Sequence, residues 1–325
     1  MQTATKPKTL KTESTPQCKT LVVIDLGNGQ VKALIKPYGA AKFWPVSFPS
    51  YVAKTEQSHS DCLRILNAKA LETYLVGDRA ASIPLSHTGR DESGKAANAK
   101  LLLIHTLRLA FGTAQNIHCD VIFTSPSNKA YGSEISAQLT GVHPVTIPAD
   151  SDVIGSEAQT FTVVVHRAIA QLEGHYAFNS LRLKKDSWLI DCGNRTMIAT
   201  KVAPSGRILK RQYFGGAGVR GLAERITARE SLAAEFKEHT PEKVIGFILS
   251  KPPATVSDAI AADVSATTAE ALAFIGNDGA PRFLIGGGAG VPGLAEHLSA
   301  KPAKNPQWLN IQSLADISAQ ILGAS

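Results

Sequence analysis

The chain has 325 residues, of which 44% are hydrophobic, and it carries a formal net charge of +7. This length allows two domains with a sizeable core. No apolar run approaches the ~18 residues that a membrane helix needs, and the N-terminus lacks the apolar core of a signal peptide. The four cysteines are scattered without metal-ligand spacing, which favours reduced thiols over a disulfide framework. These features predict a cytoplasmic protein without membrane contact.

The basic charge raises the question of nucleic-acid binding. Lysine and arginine are dispersed, however, and neither a helix-turn-helix nor a zinc pattern is present in the sequence. A mildly basic surface is therefore a better interpretation than sequence-specific DNA binding. Residues 1–19 are polar, lack aromatic residues and carry four lysines against one glutamate, which predicts a disordered basic tail.

The segment Leu21 to Ile35 reads LVVIDLGNGQVKALI and predicts two antiparallel strands joined by a tight turn. Gly27 and Gly29 allow close approach of a ligand, and successive backbone N–H groups of such a turn form an anion site. Asp25 is placed to hold a cation through water, and Lys32 to reach a phosphate as a point charge. Taken alone, an ordinary hairpin is the better interpretation.

The pattern recurs at Trp188 to Val202, which reads WLIDCGNRTMIATKV. Two copies of one unusual unit predict an internally duplicated fold with a ligand held between the halves. A third glycine cluster, FLIGGGAGVPGL at Phe283 to Leu294, predicts a strand, a glycine-rich turn and a helix. Each signal is weak alone, whereas their order and spacing together are specific.

In this order the motifs resemble the superfamily of actin, sugar kinases and heat-shock chaperone ATPases. Further matches resemble the ParM-like plasmid-segregation bacterial actins, and the resemblance covers roughly residues 20 to 325. The matching segments are Phe48-Pro49-Ser50, Leu75-Val76-Gly77, VIFTSPSN at Val121 to Asn128, FGGAGVRGL at Phe214 to Leu222, and NPQWLNIQSL near the C-terminus.

The resemblance implies an α/β protein with the actin-like ATPase fold, in which two duplicated α/β domains enclose a nucleotide cleft. Residues 20–155 are expected to form the first domain, with a small subdomain at about residues 36–82. Residues 156–302 are expected to form the second domain, and residues 303–325 to return to the first. Helices are also expected at Ala96 to Phe111, Leu222 to Glu238 and Val256 to Phe274.

The resemblance further implies binding of ATP or ADP, with GTP also possible, together with Mg²⁺. Asp25 and Asp191 are expected to hold the metal largely through water, and Asp191 thereby to support hydrolysis. The residues expected to contact the nucleotide are Asp25, Gly27, Asn28, Gly29, Lys32, Gly193, Asn194, Thr196, Gly216, Gly218, Glu224, Gly286, Gly287 and Gly288.

A crossing helix is predicted over Ser156 to Leu172. In actin-like ATPases this helix carries the group that orients the attacking water, so the resemblance makes Glu157 the first candidate and Gln159 the second. For either residue, a polar side chain favoured by the helix dipole is an equally good interpretation.

The second turn departs from the ParM-like pattern. Asn194-Arg195-Thr196 stands where Gly-Thr-Thr is usual, and Ile198 stands where a second aspartate is common. Backbone phosphate contacts survive such changes, but the lost aspartate leaves metal geometry and hydrolysis rate open. Arg195 either adds a charge-assisted phosphate contact or faces solvent.

The function that the resemblance implies is a filament-forming, ATP-driven protein of plasmid segregation. Its partners would be further copies of itself, stacked head to tail, and a DNA-bound adaptor of the ParR type, so contact with DNA would be indirect. One alternative is a non-polymerising small-molecule kinase or activator ATPase, although no general-base motif for an acceptor hydroxyl is evident. A chaperone-type ATPase is the third alternative, but no long substrate-binding domain follows the core.

Overall fold

The computed structural model describes residues 17–67, 70–83, 92–113, 116–127, 131–229, 241–250 and 254–323. Most of the predicted basic tail lies outside these residues. So do Asn128 of the VIFTSPSN motif and the second half of the helix predicted to end at Glu238.

The strands, in chain order, are β1 (Gln17–Leu26), β2 (Gln30–Pro37), β3 (Trp44–Pro49), β4 (Val52–Lys54), β5 (Leu63–Asn67), β6 (Ala70–Val76), β7 (Asn116–Ser125), β8 (Gly141–Ile147), β9 (Gln159–Leu172), β10 (Ser187–Cys192), β11 (Thr196–Val202), β12 (Ile208–Gly215), β13 (Arg282–Ile285) and β14 (Lys301–Pro302). The helices are α1 (Asp78–Ala81), α2 (Glu92–Phe111), α3 (Ser133–Leu139), α4 (Ala177–Leu181), α5 (Val219–Thr227), α6 (Pro241–Leu249), α7 (Ala254–Ile275), α8 (Leu294–His297), α9 (Leu309–Asp316) and α10 (Ser318–Leu322). A 3₁₀ turn spans Gly287–Gly290.

Within the described residues the strands form two sheets that share one topology. The first sheet runs β3-β2-β1-β7-β9 and continues through β8-β5-β6-β4, and the second runs β12-β11-β10-β13-β14. In both sheets the first three strands are antiparallel, whereas the next two are parallel to the strand that leads into the Asp-x-Gly turn. This repeat of five strands confirms the predicted duplication.

Each sheet carries helices on both faces of its five-stranded unit. Helix α2 covers one face of the first sheet, where Ile104 and Leu107 pack against strand residues such as Val121. Helices α5 to α8 cover one face of the second sheet around the buried Trp188. Helix α9 returns to the opposite face of the first sheet, where Ile311 packs with β-strand residues of the same cluster.

The small subdomain is an extension of the first sheet. Strands β4, β5, β6 and β8 form it, whereas β3 pairs with β2 and belongs to the five-stranded unit. The predicted range of about 36–82 therefore starts one strand too early and omits β8. No described helix is long and apolar enough to cross a membrane.

The crossing helix predicted over Ser156 to Leu172 is wrong, because this segment forms the strand β9. The sequence QTFTVVVHRAIAQL has β-branched residues in its first half, and alternate residues face the core, which is typical of a strand. Two features favoured a helix. Glu157 and Gln159 resemble the polar first turn of a helix, and the alanines lie in the second half of the segment. Because β9 pairs with β7 and β8, the first sheet includes residues up to Leu172.

Candidate functional site

A cleft of about 410 Å³ lies between the two sheets, at the ends where both Asp-x-Gly turns project. Most of the residues predicted to bind a ligand line it, although they come from three distant parts of the chain. These are Asp25, Gly27, Asn28, Gly29, Lys32, Asp191, Gly193, Asn194, Thr196, Gly286, Gly287 and Gly288. The structure thus brings the three glycine turns to one site.

The first turn is a three-residue connection between β1 and β2, with Asp25 opposite Lys32. A Cβ atom on Gly27 would lie 2.5 Å from the Gln30 carbonyl oxygen, so the turn excludes any larger residue there. The Asp25 carboxylate accepts hydrogen bonds from Thr124 Oγ1 (2.7 Å) and Lys32 Nζ (3.2 Å). Its position at the cleft wall is therefore fixed from both neighbouring strands.

The second turn repeats the register of the first, with Asp191 opposite Ile198. Ile198 thus occupies the place that Lys32 occupies in the first turn, and the second copy lacks a cation there. The carbonyl oxygens of Gly193 and Asn194 accept hydrogen bonds from the first N–H groups of α5, Val219 N (3.1 Å) and Arg220 N (2.7 Å). These bonds anchor the turn on the N-terminus of α5.

The two turns approach each other closely across the cleft. A Cβ atom on Gly29 would lie 2.8 Å from the side chain of Asn194. An anion bound between the turns would therefore touch both halves of the molecule.

Two amide oxygens of the cleft wall, Asn28 Oδ1 and Asn310 Oδ1, are buried and have no hydrogen-bond partner among the described residues. Buried polar atoms of this kind normally have a partner, which favours a polar ligand in the cleft.

The third glycine turn packs directly on the second. Gly286 has a φ of +85°, and a Cβ atom there would lie 2.2 Å from Asp191 Oδ1. Gly286 N also donates to the carbonyl oxygen of Pro306 (3.0 Å), and the neighbouring Gln307 oxygen accepts from Lys32 Nζ (3.3 Å). The segment before α9 therefore connects the third turn of one half with the first turn of the other.

Beside the third turn, the cleft wall is mainly apolar. Val219, Ile245, Leu249 and Ile285 line this part, together with the bare backbone of the glycines. The rest of the cleft is lined by amides, charged groups and turn backbone. One end thus suits a flat apolar group and the other suits anions.

Three carboxylates converge on the cleft, those of Asp25, Glu173 and Asp191. Burial, together with the negative charges of Glu173 and Asp25, raises the pKa of Asp191 to about 7. Oxygen donors of this type are the ligands that Mg²⁺ prefers, and a divalent cation would offset the repulsion among them. The donor set therefore fits a hydrated Mg²⁺.

The raised pKa of Asp191 leads to a prediction about stability. Without metal, the folded state holds a proton on Asp191 between its ordinary pKa of 3.8 and about 7, whereas the unfolded chain does not. The contribution of Asp191 to stability therefore falls as pH rises through this range and is most unfavourable above 7. In metal-free and nucleotide-free protein, Asp191→Asn is expected to raise the free energy of unfolding by about 1–3 kcal/mol at pH 8.

Denaturant unfolding of both proteins at pH 5 and pH 8 measures this effect. The difference in the free energy of unfolding between Asp191→Asn and the unaltered protein should be smaller at pH 5 than at pH 8. A difference independent of pH would contradict the charge explanation.

Two predicted catalytic residues lie outside the cleft. Gln159 is the first residue of β9 and Glu157 lies two residues before it; both are exposed and line a separate cavity near Asp61 and Arg108. The cleft lies at the other end of this 14-residue strand, about 40 Å away. Glu157 and Gln159 were expected to reach the attacking water because a helix was predicted here. The strand that forms instead places both residues away from the cleft.

Glu173, which the sequence interpretation missed, lies in the cleft at the C-terminal end of β9. Its N–H donates to Ser125 O (3.0 Å), and its carbonyl oxygen accepts from Arg211 Nη2 (2.9 Å). A Cβ atom on the following Gly174 would lie 2.7 Å from Asp191 Oδ2. Ligands of open α/β sheets bind at the carboxyl ends of strands, so a Glu-Gly pair ending a strand was the available signal.

Three further predicted contacts lie behind the second turn rather than in the cleft. Gly218 is the residue before α5, and a Cβ atom there would lie 2.4 Å from Thr196 N, so its role is to allow close packing of helix and turn. Gly216 and Glu224 line a side cavity of about 460 Å³. Glu224 there pairs with Arg220 at 2.9 Å.

Comparison with solved structures identifies the fold. An archaeal actin homologue, Ta0583, superposes with a TM-score of 0.71 at 17% identity, covering 93% of this chain and 99% of that chain. Bacillus thuringiensis ParM with ADP gives 0.65 at 16% identity, with 93% and 99% covered. AlfA from B. subtilis plasmid pLS32, in its filament structure, gives 0.55 at 18% identity, with 91% and 98% covered.

No protein-family model matches the chain, and no curated protein matches its sequence. The structural likenesses therefore establish the actin-like fold, as the resemblance of the motifs predicted.

Proposed function

We propose, from the actin-like fold and its cleft, that the chain is a bacterial actin-like ATPase that binds and hydrolyses ATP and polymerises into filaments for plasmid DNA segregation. The observation that carries this proposal is the pair of matching Asp-x-Gly turns, which face each other across one cleft beside a third glycine turn. Such a cleft suits a ligand with a polyphosphate at one end and a flat base at the other. ADP in the similar ParM structure supports the choice of a nucleotide.

In this proposal the phosphates lie between the first and second turns, where backbone N–H groups and Lys32 bind them. The adenosine lies on Gly286 to Gly288 and beside the apolar wall. Asp25 and Asp191 would hold hydrated Mg²⁺, which when bound would neutralise phosphate charge. The phosphate site would bind GTP equally well, because it contacts no part of the base. The choice of ATP over GTP is therefore part of the proposal.

Glu173 orients and polarises the attacking water in this mechanism. Its backbone at the end of β9 is fixed by hydrogen bonds to Ser125 and Arg211, so the side chain starts from a defined point of the cleft wall. Phosphoryl transfer depends mainly on positioning and electrostatic stabilisation, which such a group supplies. Asp191 contributes through the metal rather than by contacting the water.

Polymerisation follows from a cleft whose phosphate-binding turns belong to different halves. A ligand shifts a conformational equilibrium only by binding one conformation better, and a terminal phosphate contacts both turns only when the halves are close. Hydrolysis removes that bridge. Head-to-tail contacts between closed molecules are heterologous and need not form a ring, so they extend into a filament. The filament structure of AlfA, which shares the fold, supports this behaviour.

The partner that we propose is a DNA-bound adaptor of the ParR type that captures filament ends. The plasmid origin of the similar AlfA supports a role in segregation. Contact with DNA would be indirect, since the net charge of +7 comes from dispersed residues.

Polymerisation is expected to depend on the nucleotide, because the triphosphate bridges the two turns and the diphosphate does not. The critical concentration should be several-fold lower with Mg²⁺ and AMPPNP than with Mg²⁺ and ADP. Sedimentation and light scattering over a protein concentration series measure it, and electron microscopy of the pellet checks that filaments have formed. A protein that stays monomeric with every nucleotide yet phosphorylates a small acceptor would instead be a kinase of the same fold.

A further inference from the structure

Arg195 lies in the wall between the cleft and the side cavity behind the second turn. Both spaces are lined by the same three residues, Asn28, Arg195 and Thr196. The side chain of Arg195 is partly buried rather than fully exposed. It therefore belongs to the wall of the binding site and does not simply face solvent.

The backbone that carries Arg195 is anchored on both sides. Its carbonyl oxygen accepts a hydrogen bond from Gly216 N (3.0 Å), and the preceding carbonyl of Asn194 accepts from Arg220 N (2.7 Å). The turn is closed by Gly193 N, which donates to Thr196 O (2.8 Å). The backbone from which the Arg195 side chain projects is therefore fixed at the cleft wall.

Among the described residues that line the cleft, Lys32 and Arg195 are the two cations. Lys32 Nζ contacts Asp25 Oδ2 (3.2 Å) and the backbone carbonyl oxygen of Gln307 (3.3 Å), on the first half of the molecule. Arg195 lies on the opposite half, beside the place where Gly29 and Asn194 nearly touch. In the proposed function adenosine lies on the third glycine turn and the phosphates extend between the first two turns, so the terminal phosphate is assigned to this place.

We propose that Arg195 binds the terminal phosphate and makes the cleft select a nucleoside triphosphate over a diphosphate. This inference rests on the proposed function and assigns a specificity-determining residue to it. A guanidinium group forms two parallel hydrogen bonds with a phosphate, which the hydroxyl usual at this position in the resembled pattern does not. Arg195 thereby adds a side-chain contact to the backbone contacts of the second turn.

Binding of Mg²⁺-AMPPNP and Mg²⁺-ADP to the full chain, measured by titration calorimetry, tests the assignment. Arg195→Ala is expected to weaken AMPPNP binding by about tenfold to a hundredfold and to change ADP binding by less than about threefold. Arg195→Lys keeps the charge but loses the paired hydrogen bonds, so its AMPPNP affinity should lie between that of the unaltered protein and that of Arg195→Ala. Arg220→Ala is the matched control, because Arg220 lines the side cavity but not the cleft, and it should keep the ratio of the two affinities.

Circular dichroism verifies that each variant is folded. Equal weakening of both nucleotides, or no weakening of AMPPNP, by Arg195→Ala would overturn the assignment while leaving the proposed function intact. If the unaltered protein bound neither nucleotide, the proposed function would fail and this assignment would fail with it.

Discussion

Replacing Glu173 with glutamine is expected to slow ATP hydrolysis by about a hundredfold or more while nucleotide binding changes little. A positioned general base typically contributes 10²–10⁴-fold to a rate, and the amide cannot polarise water as the carboxylate does. Glutamine has nearly the same volume, and the backbone bonds of residue 173 to Ser125 and Arg211 do not involve its side chain. The local structure should therefore be preserved. Single-turnover hydrolysis and calorimetric binding of AMPPNP separate the two effects.

Glu157→Gln is the matched control, because the same change is made at an exposed carboxylate at the opposite end of the same strand. This variant should hydrolyse ATP at the unaltered rate. If Glu157→Gln were the slow variant, the strand would have to be rearranged in the active state. Normal hydrolysis by both variants would assign the water to another group of the cleft.

Replacing Asp191 with alanine is expected to reduce Mg²⁺-dependent hydrolysis by on the order of a hundredfold. Asp191 lies at the floor of the cleft, where the second and third glycine turns and Gly174 pack around its carboxylate. Its loss removes one of the two carboxylates, those of Asp25 and Asp191, that would hold the hydrated metal. The fold should survive, because the substitution removes a carboxylate whose pKa is raised by burial and by repulsion from Glu173 and Asp25.

The measurement is the hydrolysis rate as a function of Mg²⁺ concentration, with circular dichroism to verify folding. Asp186→Ala provides a control, since Asp186 is an exposed aspartate shortly before the same strand. A rate that responds to Mg²⁺ as in the unaltered protein would exclude Asp191 from the metal site.

The sequence alone determined the three glycine turns and the aspartates that precede two of them. A turn of this kind is encoded within about fifteen residues, because the apolar strands, the glycines and the aspartate are all local to it. The long helices α2 and α7 were predicted for the same reason, since helix formers recur within one segment. The duplication was visible because the same local unit occurs twice.

Only the tertiary structure decided that Glu173, and not Glu157, reaches the cleft. The segment after residue 156 has mixed local preferences, and its pairing with β7 and β8, which are distant in sequence, makes it a strand. That pairing places Glu157 near the N-terminal end of β9, far from the cleft, and Glu173 at the C-terminal end, in the cleft. The positions of Arg195 and Gly218 were decided in the same way, because the packing of α5 on the second turn places one in the cleft wall and the other behind it. Local sequence sets the conformation of a turn, whereas contacts between distant segments set which side chains meet across it.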